Sequence, residues 1–286
     1  MAKIKHYLSL IVFTHTIFAL PFALTGFFLA IRYDGYPLYW MTFFWILLCM
    51  VFARSAAMGF NRWADRKWDA KNPRTAGREI PKGIITSRSA LIFSLINGVL
   101  FIVSAGMLNR LCFYLSPIAL FVILGYSYTK RFTRWSHLIL GLGLSLAPIG
   151  AYLAVAQRFA LIPLLFSLVV LTWVSGFDII YALQDTEFDR ANNLNSIPSK
   201  LGKKRALGVS VLLHLVTAVT VGVIGIYGHF GILFWTGAGL FILMLIYQHR
   251  IVSPIDLSRV NRAFGTTNGI ASVVFALFVI LELYFH

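Results

Sequence analysis

Charge is scarce in this sequence, and acidic charge most of all: ten Asp and Glu stand among 286 residues, against 25 Lys and Arg, and charged residues of both signs make up only 12%. Hydrophobic residues reach 59%, aromatics 15% and the mean hydropathy is +0.79, which is more apolar surface than one soluble core can hide. Cysteine is nearly absent. Cys49 and Cys112 both fall in apolar runs, which excludes a disulfide framework and a cysteine-rich zinc site and leaves them as core residues. Low-complexity segments and a separable soluble domain are also missing.

What is present is a series of long apolar runs. Bilayer hydrocarbon about 30 Å thick needs roughly 20 apolar residues of helix per crossing. Nine runs meet that need, near 7–31, 38–60, 89–109, 111–128, 137–157, 161–184, 206–228, 231–249 and 264–285. Runs such as MTFFWILLCMVFA lack the alternation of a barrel strand. The expected fold is therefore an all-α bundle of nine transmembrane helices. Lys3 and Lys5 precede a first run of span length with no small-residue cleavage site after it, so that run is expected to be kept as a helix.

The formal charge of +15 suggests nucleic acid until its distribution is read. Arg32, Arg110 and Arg158 fall on one set of connections, Arg54 lies within a span, and the other 21 bases fall on the alternate connections. That is the positive-inside pattern of a membrane protein, and it puts the N-terminus in the cytoplasm. No nucleic-acid partner and no obligate protein partner is implied; the expected surroundings are lipid.

Acids are concentrated where the bases are. Asn61–Gly83, reading NRWADRKWDAKNPRTAGREIPKG, holds three acids and seven bases just after the second run. At 100° per residue Arg54, Asn61 and Asp65 share a helix face, with Asp69 one turn on, before Asn72-Pro73 favours a stop. Arg54, about two turns inside the apolar region, reads either as a structural ion pair, for which Asp178 is a candidate partner, or as a ligand for a diphosphate. A second acidic stretch follows the sixth run: Asp178, Asp185 and Asp189 at the same offsets, with Glu187 on another, solvated face. Four spans separate the sets, so both should emerge on one side. The motifs suggest a faint duplication of four-helix units.

Other polar groups are fewer. Tyr126 and Lys130 stand one turn apart at the end of the fourth run and are expected on a common face. His15 and Asn97 are expected to hydrogen-bond between helices. The small residues of LGLGLSLAPIGAYLA suit close helix packing in the fifth span. His214, Asn268 and Glu282 read as scaffold. Carboxylates four apart beside Arg and Lys suit a site that binds a divalent cation and a polyanion together. Magnesium typically uses one or two carboxylates with waters and substrate phosphates. An apolar, aromatic-rich interior beyond such a mouth would suit an isoprenoid tail and a developing allylic cation.

These motifs resemble those of the UbiA-type intramembrane prenyltransferases, and the likeness extends over the nine-span plan. NRWADRKWD fits NxxxDxxxD, YSYTK fits YxxxK and DTEFD fits the second DxxxD; the chain is similar to the 4-hydroxybenzoate polyprenyltransferase branch. The resemblance implies one domain over 1–286, with motif-bearing halves near 1–128 and 129–249 and a last helix at 264–285. It implies Mg2+ held by Asn61, Asp65, Asp69, Asp185 and Asp189, and diphosphate contacts from Tyr126, Lys130, Arg54 and the basic-loop residues Arg74, Arg78 and Lys82. Asp178 is left as an acceptor-side or structural group. Many members carry Asp directly after the motif Asn, where this chain has Arg62. The implied reaction is transfer of a polyprenyl group from its diphosphate to an aromatic acceptor in quinone biosynthesis, at the cytoplasmic side of a bacterial inner membrane. RTAGREIPKG is also similar to relatives on a menaquinone route through futalosine-type intermediates, which leaves a futalosine-type or naphthoate acceptor as the alternative. An ion-coupled transporter, using Arg54 and Asp178 as midplane charges, is the rival from another class.

Overall fold

The structure, a computed structural model, describes residues 6–7, 9–10 and 18–285. The expected groups Lys3, Lys5 and His15 lie outside these. Among the described residues every regular element is helical, and eight helices are long and apolar enough to cross a membrane. The first expected span, 7–31, is shorter over its described part. It is α1 (Leu20–Phe28), continued by a π-helical turn, Leu29–Tyr33. The chain divides into two compact units, one of residues 1–16 and 40–128, the other of residues 17–39 and 129–286.

The first unit contains α2 (Trp40–Asp69), α3 (Ser87–Leu108) and α4 (Arg110–Thr129). At 1.5 Å per residue the 30-residue α2 is about 45 Å long, roughly 15 Å more than the hydrocarbon is thick. Its apolar N-terminal two thirds can therefore span while the last turns, from Asn61 on, stand outside. Gly59 brings α2 against α3, where an added Cβ would lie 3.1 Å from the Phe93 ring, and Ser94 Oγ donates to the Ala56 carbonyl at 2.7 Å. Asn97, expected to bridge helices, instead donates to the carbonyl of Phe93 in its own helix at 2.8 Å. A carbonyl one turn back is always within reach of a short amide, so the local bond wins.

The second unit contains α1, α5 (Ser136–Ala156), α6 (Leu161–Ala182), the short α7 (Thr186–Ala191) and α8 (Ile197–Leu201), α9 (Lys203–Tyr227), α10 (Ile232–Ile251) and α11 (Asn268–Phe285). Small residues set its close crossings, as the fifth apolar run suggested. A Cβ on Gly141 would collide with Ser175 and the Leu171 carbonyl, and one on Gly26 with the Pro148 carbonyl. Trp173, fully buried, packs against Phe22, Phe177 and Phe241 and donates its indole N–H to Asn268 Oδ1 at 2.9 Å. The buried Glu282 carboxylate accepts from the backbone N–H groups of Gly231 at 2.6 Å and Phe234 at 3.1 Å. It thereby serves the unpaired donors that open α10. His214, fully enclosed by helices, pairs with His249 at 2.8 Å.

Large apolar side chains stand exposed along the helices, Phe121 at 78% and Ile226 at 71% among them, which is where lipid replaces water as solvent.

The packing at Gly141 leaves no room for a side chain, whereas nothing lies within 4 Å of a Cβ on Gly150 in the same helix. Gly141→Leu should lower stability by about 1–3 kcal/mol, the usual cost of overpacking. Gly150→Ala should leave it unchanged or raise it by up to about 1 kcal/mol. Thermal unfolding of the two variants in one mild detergent checks this, with a lower midpoint expected for Gly141→Leu alone.

Candidate active site

In the first unit the polar end of α2 carries one of the two candidate clusters. Asn61 Nδ2 donates to Asp65 Oδ2 at 2.9 Å, one helical turn away, and lies 3.5 Å from Ser127 Oγ near the end of α4. Asp69, the last residue of α2, is buried, and Arg78 Nη1 meets its Oδ1 at 2.7 Å. The loop that returns Arg78 to this carboxylate is fixed by its own backbone. Thr75 and Ala76 N–H groups donate to the Asn72 carbonyl at 2.9 and 2.8 Å, Arg74 N–H donates to Asn72 Oδ1 at 3.0 Å, and Thr75 Oγ donates to the Asp69 carbonyl at 3.2 Å. Asn72 and Thr75 are buried for that purpose. Arg74 and Lys82, also implied as diphosphate contacts, stand exposed on the same loop.

Arg62, the departure from the pattern, is buried. Arg78, Asp69, Tyr126 and Glu79 are its electrostatic neighbours, and Arg54, deeper in α2, has Tyr126 as a neighbour of the same kind. One end of this unit therefore gathers three guanidinium groups, a phenol and the carboxylate pair Asp65 and Asp69.

The second unit supplies the other acids. Here α6 ends at Ala182 and a 3₁₀ turn, Leu183–Asp185, precedes α7. Three residues advancing about 120° each instead of 100° rotate Asp185 and Asp189 by roughly 60° relative to Asp178, so the expectation that all three share one uninterrupted helix face is corrected. The side chains separate accordingly. Asp178 Oδ2 pairs with Nδ1 of the fully buried His137 at 2.6 Å, while Asp189 Oδ2 lies 3.5 Å from Lys130 Nζ. Glu187 is 74% exposed, as expected for a solvated group.

Tyr126 lies in the last turn of α4, and Lys130 directly follows its last residue, Thr129. What holds Lys130 is a segment distant in sequence. Asn195 N–H donates to the Lys130 carbonyl at 2.6 Å, and Asn195 Nδ2 lies 3.3 Å from the same oxygen. Asn195 is presented by a left-handed residue, Asn193 (φ 54°), and by the reciprocal Ser196–Ser199 cap that opens α8. The sequence alone assigned no role to Asn195 or to His137. Ser196-x-x-Ser199 ahead of a short apolar turn was the available signal for the first; nothing local signalled the second.

Both acidic clusters suit a hard divalent cation on the same ground. Asp69 Oδ2 is buried and receives no hydrogen bond from the described residues, its Oδ1 being taken by Arg78, whereas the buried Asp189 Oδ2 has no hydrogen bond but faces Lys130 Nζ at 3.5 Å. A buried carboxylate oxygen without a donor is costly unless something positive completes it. Among the described residues neither unit gathers three His, Cys, Asp or Glu side chains around one point. The donor sets thus fit an ion that keeps waters and takes further oxygens from a phosphate, as magnesium does, and not one caged by protein alone.

Comparison with known proteins agrees with this architecture. The family model for the UbiA prenyltransferase family matches residues 19–279. Relatives named 4-hydroxybenzoate octaprenyltransferase include one from Nitrosomonas europaea, 31% identical over 233 residues (80% of this chain and 78% of that protein). Another, from Aliivibrio fischeri, is 30% identical over 248 residues (85% and 84%). A UbiA homologue from Aeropyrum pernix K1, solved in its apo form, superposes with a TM-score of 0.84 at 30% identity, covering 94% of this chain and 98% of that one. A UbiA homologue from Archaeoglobus fulgidus, solved with DMAPP and Mg2+, shares the fold at a TM-score of 0.78 and 19% identity, covering 98% and 99%. The helices, the motifs and these matches lead to one conclusion: the chain belongs to the UbiA prenyltransferase family and is a transferase embedded in the membrane.

Proposed function

We propose that this enzyme transfers a polyprenyl group from an allylic polyprenyl diphosphate to a 4-hydroxybenzoate-like aromatic acceptor in quinone biosynthesis, with both acidic clusters acting on one diphosphate at the cytoplasmic face of a bacterial inner membrane. The observation that carries the reading is the buried carboxylate of Asp69, with Oδ1 on Arg78 and Oδ2 without a hydrogen bond, matched by the buried Asp189 whose Oδ2 faces the Lys130 ammonium. The names of the relatives support the hydroxybenzoate acceptor over a naphthoate or futalosine-type one.

The reaction breaks the bond between the allylic carbon and the diphosphate oxygen, and the electron pair leaves with the diphosphate. Magnesium, when bound by Asn61, Asp65, Asp69, Asp185 and Asp189, supplies positive charge to that leaving group. Lys130 adds a preorganised ammonium, its backbone fixed by Asn195 and its head drawn to Asp189. Arg78 offers a second cation from a loop whose turns are already closed. Arg74 and Lys82, exposed beside it, are placed to meet the anionic head as it arrives. Tyr126 contributes a phenolic hydroxyl, and Arg54, about 10 Å deeper along α2, a cation for an anionic substrate. The allylic cation is then attacked by the electron-rich ring of the acceptor, which afterwards loses the proton from the attacked carbon. The apolar interior of the helices takes the isoprenoid tail.

Asp65→Asn and Asp189→Asn keep shape and remove charge. Each should cut Mg2+-dependent formation of prenylated 4-hydroxybenzoate by more than about 100-fold, measured with a radiolabelled polyprenyl diphosphate and folded protein in membranes. Full activity in both variants would reject the shared site. Lys130→Gln should lower kcat by about 100-fold and change the KM for the acceptor little, since it acts on the departing diphosphate. Chelation of divalent cations should stop transfer, and added Mg2+ should restore it. Movement of an ion without any prenylated product, across hydroxybenzoate, naphthoate and futalosine-type acceptors, would favour the transporter reading.

A further inference from the structure

A cavity of about 200 Å³ lies in the second unit at the end remote from Asp185 and Asp189, about 33 Å away along the 22-residue α6. Its polar lining is Asp34 with three phenols, Tyr33, Tyr152 and Tyr227, and its apolar lining includes Leu29 and Ile162. The π-helical turn that ends α1 delivers the acid here. Asp34 N–H donates to the Leu29 carbonyl at 3.1 Å, Tyr36 N–H donates to the Ala30 carbonyl at 3.0 Å, and Gly35 takes the left-handed conformation (φ 75°) that lets the chain reverse. The hydroxyl of the fully buried Tyr152 donates to Asp34 Oδ2 from the cavity wall and fixes the carboxylate. Arg158, on the connection between α5 and α6, is fully exposed and lies within electrostatic reach of Tyr36, Tyr152 and Asp34.

An interfacial belt accounts for tyrosines at such a depth. It does not account for a carboxylate locked beneath them. A small metal ion is a poor occupant, because a single carboxylate with neutral phenols supplies few of the anionic oxygens it needs. An organic ammonium fits: aromatic faces attract it, and Asp34 supplies the opposite charge. Carboxylate and phenol oxygens that accept hydrogen bonds favour a primary ammonium over a quaternary one, which has no N–H to give. The volume equals roughly seven waters at about 30 Å³ each, enough for a headgroup and too small for an acyl chain. Arg158, exposed two residues before the lining residue Ala160 and lying over the Tyr36 ring, is placed to meet a phosphate joined to that ammonium.

We propose that this cavity binds the headgroup of an ethanolamine phospholipid from the leaflet opposite the acidic clusters, with Asp34 and the exposed phenols of Tyr33 and Tyr227 around the ammonium and Arg158 on the phosphate. The assignment is independent of the acceptor and of the transfer reaction.

The test is native mass spectrometry of the delipidated full chain, titrated with ethanolamine, choline and glycerol phospholipids of the same acyl chains, and separately with soluble phosphoethanolamine. The ethanolamine lipid should be retained about tenfold better than the other two. Asp34→Asn should abolish that preference, and Tyr227→Leu, at an exposed position, should weaken it. If Asp34→Asn does not fold, Tyr227→Leu and Arg158→Gln carry the test, each expected to lower retention of the ethanolamine lipid. Equal retention of the three lipids by the wild type, or an unchanged preference in the folded variants, overturns the proposal. Full displacement of the lipid by equimolar phosphoethanolamine would overturn the lipid as source and leave a soluble ammonium compound in its place.

Discussion

The constraint on which this structure depends is the cost of placing carboxylates at the ends of helices built for lipid. An ionised carboxylate out of water is tolerated only when positive charge stands beside it. Asp69 has Arg78 and Asp189 has Lys130, while Asp178 is hydrogen-bonded to His137 Nδ1. Two of these partners are themselves held by backbone: Arg78 by the turns of the loop after Asn72, Lys130 by Asn195. Arg78 does not saturate Asp69, whose Oδ2 is buried without a hydrogen bond, while the buried Asp189 Oδ2 faces Lys130 Nζ at 3.5 Å. An ion pair of this kind is poor evidence for stability, and a sensible arrangement for binding.

The rest of the chain serves that arrangement by removing freedom elsewhere. With no hydrophobic drive between helices in lipid, contact relies on close approach and on polar bonds inside the bundle. Gly59, Gly141 and Gly26 permit the approach. Trp173 with Asn268, Ser210 with the Gly176 carbonyl, and Thr172 with Thr217 supply the bonds. Glu282, one of only ten acids, closes the opening turn of α10, where its burial is tolerated because two backbone N–H groups meet it.

The sequence made the spans legible because hydropathy is a long signal that survives local exceptions. The expected run 137–157 and the observed α5, Ser136–Ala156, differ by one residue at each end. The motif acids were legible because charge is rare here and clusters conspicuously. What stayed hidden depends on phase and on distance along the chain. One 3₁₀ turn at Leu183–Asp185 interrupts the helix between Asp178 and Asp189, and no propensity announces three residues of tighter winding. Asn195 reaches Lys130 from 65 residues away and His137 reaches Asp178 from 41, pairings that periodicity within one helix cannot contain. Asn97 failed in the opposite direction: its partner was one turn away, and the interhelical bond expected of it was unnecessary.

The central claim is that Asp65 with Asp69, and Asp185 with Asp189, serve one metal-bound diphosphate. Binding without turnover tests it most directly, using Mn2+ in place of Mg2+ and a prenyl thiolodiphosphate that does not ionise. Electron paramagnetic resonance would count the Mn2+ taken up with the analogue. The expected result is analogue-dependent uptake by the wild type that is lost when either Asp69 or Asp189 alone is replaced by Asn. Undiminished uptake after loss of one cluster, with the other sufficient by itself, would contradict it.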